Sequence, residues 1–117
     1  MIRVMCVDDD VDLLDGLVAI LKREGLDVSS STDPFCALEA MKRSAPDVLV
    51  TDGNMPRMHG TELVFWAREA HPNLPVLFLT GDPVEGMNVP RALVRLKGCS
   101  LDDLIEDIKM LANVGND

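Results

Sequence analysis

Five short runs rich in strand-forming residues, at 3–7, 26–31, 47–51, 75–80 and 92–96, recur along the chain with helical patterns between them. Most of these runs are almost continuously apolar, as strands buried on both faces are. Between the first two, Leu13, Leu14, Leu17, Val18 and Leu21 repeat at helical spacing and stop before Gly25, which suits a helix end. Asp33 and Pro34 read as the N-cap and first-turn proline of a second helix, with Ala37, Leu38 and Met41 on one face. Leu63, Trp66, Ala67 and Ala70 mark a third, and Ser100 opens a last helix with Leu101, Leu104, Ile105 and Ile108 as its inward stripe. The stretch 81–90, rich in Gly and Pro, has room only for a short helix or none. Strict strand–helix alternation dictates an α/β fold: a parallel sheet with helices on both faces, because each right-handed crossover returns over the sheet.

At 117 residues and 47% hydrophobic content, the chain fits a single domain over 1–117. No apolar run approaches the roughly 20 residues of a membrane span, and the N-terminus lacks a signal-peptide layout, so a cytoplasmic location without membrane insertion is expected. Cys6, Cys36 and Cys99 are an odd number without paired spacing, which points to neither a disulfide framework nor a zinc site. A formal charge of −9 argues against direct nucleic-acid binding and favours cations and basic partners.

Asp8, Asp9 and Asp10 follow the first strand run directly, although crowded carboxylates raise the cost of one another's ionisation. Asp52 follows the third run, Thr80 ends the fourth and Lys97 follows the fifth. All are at carboxyl ends, where open α/β sheets collect function. If strands one, three, four and five lie side by side, these ends form one rim. Two or three carboxylates there suit Mg²⁺, which is commonly held by one or two carboxylates and several waters and offsets the repulsion. A carboxylate can also attack phosphorus and form an aspartyl phosphate when the developing charge is neutralised. Asp52 is the candidate nucleophile, Asp9 the main metal ligand with Asp8 beside it, Thr80 the hydroxyl donor and Lys97 the ammonium; Gly81 leaves space for a phosphodonor.

In VDDD after strand one, VLVTDGNMPRMHG around Asp52, LFLTG at strand four and LVRLK at strand five, the chain resembles the receiver domain of two-component response regulators over nearly its whole length. The resemblance implies the CheY-like, flavodoxin-like strand order 2-1-3-4-5 and a phosphoacceptor signalling role rather than that of a turnover enzyme. It implies a histidine kinase or histidine phosphotransfer protein as donor to Asp52. The backbone carbonyl of Asn54 would join Asp8, Asp9 and Asp52 in the metal shell. Residues 55–60 would form the turn into the third helix, with Asn54 and Asp82 tuning dephosphorylation.

Three departures from that family concern output. Gly98 follows Lys97 where the family usually has proline, Val94 replaces a common aromatic switch residue, and the span from Thr80 to Lys97 is short, so the family's helix four is expected to be short or absent. The response should then concentrate in the loops after strands three and four, with exposed residues near Arg57, Met58 and Asp82 contributing to partner binding. Other readings compete. An EF-hand loop starting at Asp8 fails, because Leu13 and Ala19 stand where its glycine and terminal glutamate belong. A haloacid-dehalogenase-type phosphatase would put its nucleophile after strand one and needs Thr or Val where Asp12 stands. A receiver-like interaction module that has lost phosphorylation switching is the remaining alternative. Trp66 and the methionines read as core or partly covered surface, and His59 and His71 as solvated positions without a role.

Overall fold

A computed structural model describes residues 1–81 and 89–115. The elements run β1 (Arg3–Val7), α1 (Val11–Arg23), β2 (Asp27–Ser31), α2 (Pro34–Arg43), β3 (Val48–Thr51), α3 (Gly60–Ala70), β4 (Val76–Thr80), β5 (Ala92–Leu96) and α4 (Leu101–Gly115). All five strands pair in parallel in the order β2-β1-β3-β4-β5, the doubly wound arrangement expected from the resemblance. Asp82 and the stretch expected to hold a short fourth helix fall mostly on 82–88, outside the described residues.

Strand alternation divides the interior in two. Val4 and Cys6 of β1 join Val48 and Val50 of β3, Leu77 and Leu79 of β4, and the inner stripes of α1 and α4. Met5, Val7, Leu49, Val76 and Phe78 point the other way, into a core completed by α2 and α3. β1, β3 and β4 are therefore apolar on both faces. β5, which carries Arg95 among apolar residues, is only partly buried and forms an edge of the sheet.

Local chemistry sets the ends. Asp10 caps α1 by accepting from the Leu13 N–H at 3.2 Å, and Asp33 caps α2 by accepting from Phe35 at 2.9 Å. At the far end of α1, Gly25 adopts φ +87°. There the Leu26 N–H reaches back to the Leu21 carbonyl and the Gly25 N–H to that of Lys22, satisfying carbonyls that the helix leaves open.

Several expected orientations differ. In α3 the buried residues are Gly60, Leu63, Val64 and Ala67, whereas Trp66 and Ala70 face outward. In α4, Leu101 is exposed in the first turn while Leu104, Ile105 and Ile108 are buried as expected. His71 is not a freely solvated side chain: it is half-buried, and its Nε2 donates to the Met41 carbonyl at 2.8 Å, tying the end of α3 to α2.

Candidate functional site

The carboxyl ends of β1, β3, β4 and β5 meet on one rim. The Asp52 N–H extends the β1–β3 ladder to the Val7 carbonyl at 3.0 Å, and the Lys97 N–H extends the β4–β5 ladder to the Thr80 carbonyl at 2.8 Å. Both side chains are thus launched from backbone that the sheet fixes.

The three consecutive aspartates divide their work. Asp8 is buried, and its Oδ1 accepts from the Asp10 N–H at 2.9 Å. Asp9 is exposed at the mouth, and Asp10 is taken up by the α1 cap. Asp52 is buried, with Oδ1 accepting from the Asn54 N–H at 3.2 Å. Asp8, Asp9 and Asp52 each offer a carboxylate oxygen, all within 4.8 Å of one another. Lys97 Nζ stands 3.1 Å from Asp8 Oδ2 and 3.2 Å from Asp52 Oδ2. Thr80 closes β4 in a fully buried position, its carbonyl held by Lys97.

Burial pushes the Asp8 carboxyl above its ordinary range; the Asp10 N–H and Lys97 pull it back, and the Asp52 charge adds to the rise. Burial alone would lower the Lys97 ammonium, but the hydrogen bond and charge of Asp8, with those of Asp52, outweigh it and hold it above the usual lysine range. One ammonium thus serves two buried carboxylates, with a third carboxylate at the mouth. This donor set of hard oxygens carries excess negative charge, which fits a small divalent cation such as Mg²⁺.

Gly98 does not prevent Lys97 from reaching the rim. Gly98 takes φ +92°, and the Cys99 N–H returns to the Leu96 carbonyl at 3.0 Å, closing a tight turn just beyond β5.

Two features escaped the sequence reading. Gly60 packs against the acceptor loop so closely that a Cβ there would stand 2.3 Å from the Asp52 carbonyl oxygen, and its N–H bonds the Gly53 carbonyl at 3.0 Å. Nothing in a glycine between two polar residues announces that contact. Arg57 bonds Asp33 at 3.0 Å and lies 4.8 Å over the Phe35 ring, so the β3–α3 loop is strapped to the start of α2. Met58, expected to be exposed beside it, is buried in the α2–α3 core, where its apolar side chain anchors the loop from beneath.

A parallel sheet in this order, with clustered carboxylates and a lysine on its carboxyl rim, defines the class of CheY-like receiver folds. The chain belongs to the response regulator receiver domain family, whose pattern it matches over residues 4–109. It is 33% identical over 114 residues to the response regulator receiver protein CpdR of Brucella abortus, covering 93% of this chain and 95% of that protein. It is 36% identical over 85 residues to the probable transcriptional regulatory protein TcrX of Mycobacterium tuberculosis, covering 72% of this chain but 36% of that protein. The chain thus spans only about a third of that longer relative's length. Among solved structures, the CheY-like response regulator receiver domain protein of Methanospirillum hungatei superposes with TM-score 0.91 at 26% identity, covering 99% of this chain and 97% of the other. Among the described residues, no helix is long and apolar enough to cross a membrane.

Proposed function

We propose that the chain, as one receiver unit over 1–117, accepts a phosphoryl group on Asp52 in a Mg²⁺-dependent reaction and signals through protein contacts. The observation that carries this reading is the placement of Lys97 Nζ within 3.2 Å of both buried carboxylates, in a cluster whose three carboxylates lie within 4.8 Å.

In the reaction, an Asp52 carboxylate oxygen attacks phosphorus as the bond to the donor breaks, leaving an acyl phosphate on the protein and the electron pair on the departing group. Asn54 holds one Asp52 oxygen through its backbone N–H and Lys97 holds the other, which fixes the carboxylate plane before the donor arrives. The Lys97 ammonium then offsets charge at the phosphoryl oxygens, with the Thr80 hydroxyl as a further donor. Asp8, Asp9, Asp52 and the Asn54 carbonyl would hold Mg²⁺, which when bound neutralises charge shared between the carboxylates and the phosphoryl group. The donor is a histidine kinase or histidine phosphotransfer protein in the cytoplasm. The chain acts as a phosphoacceptor rather than a turnover enzyme, and its acidic charge favours protein over nucleic-acid partners.

Incubation with a small phosphodonor and Mg²⁺, followed by intact mass measurement, tests this. Wild type should gain one phosphoryl group and Asp52→Asn none. A wild-type yield of adduct in Asp52→Asn, mapping to Asp8, would instead support a phosphatase-type nucleophile after β1. No adduct on wild type under conditions that label a known receiver would favour a module without phosphorylation switching.

A further inference from the structure

The segment 53–59, between Asp52 and α3, has no regular structure, yet it carries the Asn54 N–H that holds one Asp52 oxygen. The Gly60 N–H on the Gly53 carbonyl draws its ends together. Among the described residues, 55–58 make no backbone-to-backbone hydrogen bond, so side chains must hold the middle of the loop. Met55 and Met58 hold it from beneath, in the α2–α3 core. Apolar contact is non-directional, so it keeps the loop down without fixing where it lies along the surface.

Arg57 supplies the direction. Its Nη1 donates to Asp33 Oδ2 at 3.0 Å, and its guanidinium lies 4.8 Å over the Phe35 ring. The planar head is held by an edge contact and a face contact from one helix start. That helix start is fixed in turn. Asp33 Oδ1 accepts from the Phe35 N–H at 2.9 Å, and the Ser31 hydroxyl accepts from the Asp33 N–H at 3.0 Å while donating to the Asp33 carbonyl at 2.9 Å. Ser31 closes β2, and its carbonyl accepts from the Asp8 N–H at 3.3 Å. The contacts form a circuit from Asp8 through Ser31 and Asp33 to Arg57, and back along the loop to Asp52. It links the two buried carboxylates by a second path besides the β1–β3 ladder.

We infer that Arg57 is a positioning residue for the acceptor reaction: gripped by Asp33 and Phe35, it fixes the 53–59 loop so that the Asn54 backbone stays against the Asp52 carboxylate. The inference rests on the reading of Asp52 as phosphoacceptor. With its side chain 64% exposed, Arg57 makes ties that shift a local equilibrium by a small factor. The effect expected on the reaction is therefore about two- to fivefold, without global unfolding.

Arg57→Gln and Asp33→Asn remove the pair by separate routes, and asparagine keeps an acceptor for the Phe35 N–H. The probe is a small phosphodonor with saturating Mg²⁺, read as the initial rate of labelling by intact mass at a temperature where circular dichroism shows each protein folded. Both variants should label about two- to fivefold more slowly than wild type. The double variant should be no slower than the slower single one, because the two residues act through one contact. Arg57→Lys, which keeps a charge for Asp33, should recover part of the rate. Glu39→Gln breaks another exposed α2 ion pair, to Lys42, and should label like wild type, whereas a general effect of weakening α2 would slow it too. Without phosphodonor, exchange of the Asn54 amide should quicken by about two- to fivefold in Arg57→Gln and Asp33→Asn and stay unchanged in Glu39→Gln. An undiminished labelling rate or unchanged Asn54 exchange in Arg57→Gln, equal slowing in Glu39→Gln, or multiplicative slowing in the double variant would overturn this inference alone. If wild type itself takes no label, the phosphoacceptor reading fails and this inference with it. If one variant fails to fold, the other decides by rate and exchange.

Discussion

Replacing Gly60 by alanine tests how tightly the acceptor loop is built. The added methyl would stand 2.3 Å from the Asp52 carbonyl oxygen, 3.1 Å from the Gly53 Cα and 3.2 Å from the Asp52 carbonyl carbon. All three atoms are backbone, so no side chain can swing away. Relief to even a tight contact needs a shift of at least about 0.7 Å between the start of α3 and the loop. Overpacking of this kind costs about 1–3 kcal/mol, and the return from alanine's better helix propensity is at most about 1 kcal/mol. The net expectation is a loss of about 1–2 kcal/mol, or roughly 4–10 °C in melting temperature for a chain of this size. The matched control is Gly16→Ala, at an exposed position in α1 with nothing within 4 Å of its Cβ, which should gain up to about 1 kcal/mol. Because the displaced carbonyl belongs to Asp52 itself, labelling by a small phosphodonor should also slow, by up to about a hundredfold for a displacement near 1 Å. Urea melts and labelling time courses measure both effects. A Gly60→Ala protein as stable as wild type within about 0.3 kcal/mol, labelled at an undiminished rate, would refute the reasoning.

Mg²⁺ at ten times its dissociation constant should stabilise wild type by about 1.4 kcal/mol, and Asp9→Asn or Asp52→Asn should lose most of that gain; equal stabilisation of all three proteins in thermal melts would put the cation elsewhere. Asp33 is held below the ordinary carboxylate range first by the Phe35 N–H, which outweighs an opposing effect of burial, with the charge of Arg57 adding to the lowering. The folded state therefore binds fewer protons than the unfolded state just below pH 4, so this contribution is present above the unfolded value and lost as pH falls through the folded one. Asp33→Asn should flatten the acid limb of the urea midpoint against pH, and an unchanged limb would contradict this. Burial pushes the Cys6 thiol up to about 12, whereas Cys36 is exposed. A thiol reagent at neutral pH should label Cys36 in the native protein and Cys6 only after unfolding; prompt native labelling at Cys6 would show that β1 is more accessible than described.

The order of elements was legible because strand runs alternate with helical patterns whose ends are marked: Asp33 and Pro34 open α2, and Gly25 closes α1. Placing Asp8, Asp52, Thr80 and Lys97 at strand ends needed only those boundaries, whereas the strand order came from the family resemblance. The facing of α3 was not legible. Residues 63 to 67 are all apolar, so periodicity cannot choose between Val64 and Trp66, and packing against the sheet decides in favour of the smaller side chain. Met58 misled for a related reason: it sits in a polar loop, and its burial depends on α2 and α3 closing beneath it. The Gly60 contact depends on how a loop returns over its own strand end, which no local pattern encodes.

Asp8 and Asp52 hang from β1 and β3, each bonded to a strand on both sides, whereas Lys97 follows β5, which is bonded on one side only and secured on its other face by the Arg95–Asp107 pair at 2.5 Å. Hydrogen-exchange behaviour follows from that arrangement. Amides of an edge strand open in smaller excursions than those of central strands, at a free energy below that of global unfolding. The carboxylates and the ammonium therefore belong to different cooperative units. A fluctuation that peels β5 away removes Lys97 from the rim while leaving the acidic cluster assembled, so the fraction of molecules holding a complete constellation is governed by the local stability of one edge.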